Sequence, residues 1–178
     1  MADNTASAPK ESWLNWLAIT TIFISICATI ASFKGGGYSS KAMMSQIQAS
    51  DLWAQYQSKS IKGYLYDTQA DLLTLQAAGL TGPAAQAYQK KIDEYRKAIA
   101  HYKTDKEELS AKALALEATR DESQTHGGRF GYSVLFLQLS IMLGALSSIM
   151  KKKWLWYISI AIGCFGFVRF LNGFYLWF

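Results

Sequence analysis

From Phe130 to the end of the chain, two apolar runs of helix length, 130–150 and 154–178, are separated only by Lys151, Lys152 and Lys153. Few folds are open to such a pattern. In lipid a backbone must satisfy its own hydrogen bonds, so each run reads as a helix and the lysines as the turn between them. A third run, 13–33, carries no charge. At 1.5 Å per residue it makes roughly 31 Å of helix, against a hydrocarbon core of roughly 30 Å. The sequence thus predicts an all-α membrane protein. Three transmembrane helices carry a long antiparallel, coiled-coil-like helical hairpin inserted between the first and the second.

Composition supports lipid over a globular core, because 51% of the 178 residues are hydrophobic and they fall in blocks rather than at regular intervals. The formal charge of +5 comes from a nearly balanced insert plus the lysine triplet. It offers no basic face with readout residues, so nucleic acid is not among the expected partners. Cys27 and Cys164 both fall inside apolar runs. They provide no disulfide framework, leave the redox compartment open, and read as small polarizable packing residues.

Residues 1–12 are small and polar and read as a disordered tail. A signal peptide is the competing reading of 13–33, with Thr29-Ile30-Ala31 as a cleavage site. Against it, the basic flank is only Lys10, offset by Glu11, and the run exceeds the usual 7 to 15 or so residues. Gly35, Gly36 and Gly37 mark a point where helix propensity fails and the chain can bend out of the membrane or change direction. Over 38–78, Ile47, Ala54, Ile61, Thr68 and Leu75 recur every seventh position, flanked by Met44, Leu65 and Leu72, which predicts a helix with one apolar stripe. Gly79, Gly82 and Pro83 supply the turn. Over 84–122, Ile92, Ile99, Lys106 and Ala113 share one heptad position, and Tyr95, Tyr102, Leu109 and Leu116 share its partner. Facing stripes predict the hairpin, within 38–126. Its aromatic and lysine entries suit a bundle in which several chains pack together. Gly127 and Gly128 form a second flexible junction.

Ser140, Gly144 and Ser148 in the second span, with Ser159, Gly163, Gly166 and Gly173 in the third, predict small-residue faces for close helix approach and homo-oligomer contacts. Trp13, Trp16, Trp154, Trp156 and Trp177 lie at run ends, at headgroup level. Lysines in a short turn weigh most in topology. The N-terminus and the basic turn, Lys151 to Lys153, are therefore expected in the cytoplasm, with the hairpin and C-terminus outside it.

The block from Gln46 to Lys62, QIQASDLWAQYQSKSIK, resembles the signature of a bacterial membrane protein family catalogued as domain of unknown function 4337. The WLNWLAITT opening, the basic triplet running into Trp154-Leu155-Trp156, and Leu171-Asn172-Gly173-Phe174 are similar to that family too. The resemblance covers nearly the whole chain. It implies a membrane location and three spans, and brings no activity, cofactor or site residue.

Two groups of residues are candidates for function. Within the central block, Asp51, Trp53, Gln55, Tyr56, Lys59 and Lys62 read either as a recognition strip for a protein partner or lipid headgroup, or as a polar seam that sets register between packed helices. Within the membrane, Arg169 lies about 13 Å below the outer end of its helix, with Gln138 and Ser25 at a similar depth of about 12 Å. Asn172 lies one turn further out. No Asp or Glu occurs in the runs, which leaves a C-terminal carboxylate at Phe178 as the one acidic group at hand. A charge so placed must snorkel to lipid phosphate, bind Gln138, Asn172 and backbone carbonyls, or face a pore.

His101 and His126 have no ligand spacing around them and read as exposed helix histidines, and the glycines at 35–37 lack a phosphate-loop lysine in register. No cofactor, metal or enzymatic constellation is expected. The sequence points to an oligomeric inner-membrane protein that contacts lipid and acts structurally or in assembly through its hairpin. The alternative is a channel with an anion-attracting outer mouth.

Overall fold

A computed structural model describes residues 12–176, which form three helices. Helix α1 is Ser12–Ala77, α2 is Pro83–Met150 and α3 is Lys153–Tyr175. Of the expected tail only Ser12 is described, and it opens α1; Lys10, Glu11, Trp177 and Phe178 lie outside the described residues. Each helix contains a stretch long and apolar enough to cross a membrane. The chain divides into two compact units. One joins the described residues up to Lys41 with those from Glu122 onward, and the other is Ala42–Asp121.

The breaks expected at the two glycine clusters do not occur, since α1 and α2 continue through them. Packing in the first unit explains the difference. A Cβ on Gly35 would lie 3.1 Å from the Phe130 Cβ, and one on Gly127 would lie 3.3 Å from the Ser39 hydroxyl and 3.6 Å from the Gly35 carbonyl. Glycine costs about 1 kcal/mol per helical position, and here close approach of α1 and α2 offsets it.

In this unit α2 buries Ser123, Phe130, Leu137 and Gly144 seven residues apart, with Ser133, Ser140 and Ser147 on the adjoining row. The small face therefore continues through Ser147; Ser148, named from sequence, is exposed. On α3, Ser159, Gly163, Gly166 and Gly173 are all buried. These faces meet helices of the same chain. A Cβ on Gly163 would stand 2.8 Å from both Ile24 Cδ1 and the Ser140 hydroxyl, and one on Gly166 3.0 Å from the Leu137 backbone nitrogen. Between α2 and α3, Lys151 takes a left-handed φ of 50°, and the Ser147 hydroxyl donates to the Lys152 carbonyl at 2.9 Å.

The second unit pairs the 42–77 part of α1 with the 83–121 part of α2. Polar and aromatic contacts join Gln46 to Arg120, Trp53 to Glu117, Lys59 to Asp105 and Tyr66 to Tyr95, so numbers rise on one segment as they fall on the other. On α2 the inward residues are those of the expected repeat, with Ile92 and Ala113 buried and Tyr95, Ile99, Tyr102, Leu109 and Leu116 half-buried. On α1 the expectation fails. Ile47, Ala54, Ile61, Thr68 and Leu75 are exposed, and the inward row is Ala42, Ser45, Ala49, Tyr56, Lys59, Gly63, Tyr66 and Ala70. Volume explains part of the choice, because Gly63, Ala49 and Ala70 leave room on this face for the tyrosine rings that pack between the helices. A Cβ on Gly63 would lie 4.0 Å from the Tyr102 Cβ, and Tyr66 packs on Tyr95 and Tyr102 at ring separations of 5.2 and 5.8 Å.

Candidate functional site

The candidate strip in the second unit divides between two faces of α1. Trp53 Nε1 donates to Glu117 Oε1 at 2.9 Å, and Lys59 Nζ meets Asp105 Oδ2 at 2.6 Å. Tyr56 lies under the Lys106 ammonium, 5.4 Å from ring centre to Nζ, and Tyr64 receives the same ammonium at 5.8 Å. Trp53, Tyr56 and Lys59 thus contact the facing helix, whereas Asp51, Gln55 and Lys62 are exposed. Hydrogen bonding from Lys59, with the charges of His101 and Lys59 adding lesser parts, holds the Asp105 carboxyl below the usual aspartate range. The same bond raises Lys59. Arg120 donates to Gln46 Oε1 at 2.5 Å and to Asp121 at 2.8 Å, the latter contact lowering the Asp121 carboxyl.

The candidate polar residues of the first unit occupy different environments. Ser25 is half-buried and donates to the Ile22 carbonyl of its own helix at 2.8 Å. Gln138 is exposed. Arg169 is half-buried with its guanidinium carbon 5.4 Å from the Phe165 ring centre. Asn172 is fully buried. Among the described residues every buried side-chain nitrogen and oxygen has a hydrogen-bond partner, so the polar atoms inside this apolar unit are satisfied. In the basic turn, Lys151, Lys152 and Lys153 are all exposed.

His126 departs from its expected exposure. Its ring stacks on Tyr38 with centroids 4.7 Å apart, and its Nδ1 lies 2.8 Å from the Gly173 carbonyl. Because a carbonyl only accepts, Nδ1 carries the proton. Tyr38, Phe130, Phe170 and Phe174 extend this aromatic cluster. The sequence signal was the aromatic residue at both Tyr38 and Phe130, which the glycine clusters obscured. His101 is exposed, as expected, beside Asp105 at 3.5 Å.

The first unit also holds an open apolar groove of about 570 Å³, lined among others by Phe23, Ile24, Cys27, Leu137, Cys164 and Phe167. Its walls carry almost no polar surface, so they can take hydrocarbon and cannot orient a polar ligand.

The family model described as Domain of unknown function (DUF4337) matches residues 13–176, and the chain belongs to that family. No curated protein and no solved structure matches the chain.

Proposed function

We propose that this member of the DUF4337 family is an integral membrane protein. Three spans hold the Ala42–Asp121 unit outside the bilayer as a helical hairpin for assembly or partner binding. One observation carries the reading. The first unit buries small polar side chains, Ser133, Ser140, Ser147, Ser159 and Asn172, among apolar ones such as Phe130 and Leu137, while large apolar side chains, Ile19, Phe23, Ile26, Leu135, Met142 and Val168, face outward. Water would penalise that distribution and lipid favours it.

The hairpin offers the surface available for interaction, because the small faces of the spans are already filled by neighbouring helices. The lysine turn favours a cytoplasmic N-terminus and an extracytoplasmic hairpin in a bacterial inner membrane. The role is one of architecture, with no reaction assigned to it. Burial of Asn172 within its own chain weakens the channel alternative, which needs that side chain at a mouth.

Alkaline extraction of membranes tests the reading, together with labelling of single cysteines by an impermeant maleimide after Cys27 and Cys164 are replaced by serine. Retention in the pellet, with Glu108→Cys labelled from outside and Lys152→Cys protected, is the expected result. Release of the protein by alkali overturns the membrane reading.

A further inference from the structure

The heptad stripe predicted from sequence to close the hairpin faces away from it. Ile61 is 67% exposed, Leu65 59% and Leu75 73%, with Met44, Ile47 and Leu72 also on the outside. The opposite face of the same segment carries the contacts to α2. The unit is left with a thin core, in which Ile92 is the one large apolar side chain that is buried. A two-helix unit so built gains little from burial.

We propose that this outward face of α1, from Met44 to Leu75, is the seam on which a second copy of this chain docks, with the two α1 segments parallel. The proposal rests on the membrane-hairpin reading above and names the hairpin's partner.

Spacing argues for a helix as the occupant. Met44, Ile47, Asp51, Ala54, Ser58, Ile61, Leu65, Thr68, Leu72 and Leu75 alternate by three and four residues throughout, the repeat that a supercoiled partner helix requires. The flanks of the seam admit a copy of the same segment. In a parallel pair the flanking positions place Gln57 against Lys62, Tyr64 against Gln69 and Asp71 against Gln76, so no like charges oppose each other along the flanks. The outward side of α2 serves a partner less well, because Lys90, Lys91, Asp93, Glu94 and Lys97 cover it. Direction follows from the membrane, since two copies inserted alike send α1 out on the same side. Asp51 then meets its counterpart on the seam. The two carboxylates repel, so this position lowers the affinity of the pair, and Ser58 and Thr68 add further polar positions to the same seam.

Disulfide trapping in native membranes tests the proposal. Leu65→Cys and Leu72→Cys are introduced separately into full-length protein lacking Cys27 and Cys164, with Lys97→Cys and Glu108→Cys on α2 as controls. Mild oxidation is expected to give a band of twice the monomer mass at the two seam positions, about tenfold stronger than at the controls. That ratio corresponds to a preference of about 1.4 kcal/mol for the seam.

Placing a charge on the seam through Ile61→Lys in the Leu65→Cys protein should reduce the band by a similar factor. As Ile61 is exposed within one chain, this change leaves the fold of the unit intact. A seam band no stronger than the controls overturns the proposal, as does an adduct whose mass is not twice that of the monomer. Alkaline extraction of the same membranes separates the two failures. Protein retained in the pellet without a seam band sinks the second copy alone, whereas protein released by alkali removes the membrane reading beneath it.

Discussion

Ser140 and Ser159 bond each other twice. The Ser140 hydroxyl donates to the Ser159 carbonyl at 2.6 Å, and the Ser159 hydroxyl donates to the Ser140 carbonyl at 2.8 Å. This reciprocal clasp joins α2 to α3 where both present small residues, so it ties two backbones together as well as two side chains. Polar contacts inside membrane helix bundles contribute about 0.6 kcal/mol on average. Ser140→Ala and Ser159→Ala should each cost roughly that much, and the double variant less than their sum. Unfolding in mixed detergent micelles measures all three, and additive losses would show that the two bonds act independently.

The glycines of the first unit separate into two classes with opposite expected responses. A Cβ on Gly166 would lie 3.0 Å from the Leu137 backbone nitrogen, which cannot rotate away, so Gly166→Ala should destabilise by about 1–3 kcal/mol. Gly36 meets nothing within 4 Å, and Gly36→Ala should stabilise by up to about 1 kcal/mol through helix propensity alone. The same unfolding assay checks both signs.

This contrast also marks what could be read from the sequence. Length, hydropathy and the lysine turn announced three apolar helices, and the Ser159, Gly163, Gly166 and Gly173 row on α3 was visible as a packing face. The continuity of α1 through Gly35 was not, because glycine is a helix breaker in isolation and becomes a contact residue only when Phe130 on another helix is known to press against it. The heptad on α1 was visible as a repeat but assigned to the wrong neighbour. Periodicity identifies a face without saying what covers it, and room for the tyrosine rings between the helices favours the small row instead. The inward part of the candidate strip, Trp53 and Lys59, became distinguishable from Asp51, Gln55 and Lys62 only once Glu117 and Asp105 were located opposite.

The Lys59–Asp105 pair gives the second unit a defined acid response. Asp105 is held below its ordinary range, so its contribution to stability is present above the unfolded aspartate value of about 3.9 and is lost as pH falls through the lower folded value. Lys59 is raised, so its share is complete below about pH 10.4 and is lost only at more alkaline pH. The stability difference between the parent and Asp105→Asn should therefore shrink below roughly pH 4. With the other five tryptophans replaced by phenylalanine, Trp53 fluorescence during urea unfolding follows this unit. A difference that persists unchanged at pH 2 would refute the assigned cause.

His126 secures the end of α3 through its ring nitrogen. Gly173 lies in the last turn of that helix, where carbonyls have no partner within the helix, and His126 Nδ1 approaches its oxygen at 2.8 Å. Nδ1 donates in both the neutral and the charged imidazole, so protonation keeps the bond. His126→Phe preserves a flat ring against Tyr38 and removes the donor, which should cost about 0.5–1.5 kcal/mol for the lost hydrogen bond. The loss should concentrate at the C-terminal turn of α3, where amide hydrogen exchange in the variant quickens most.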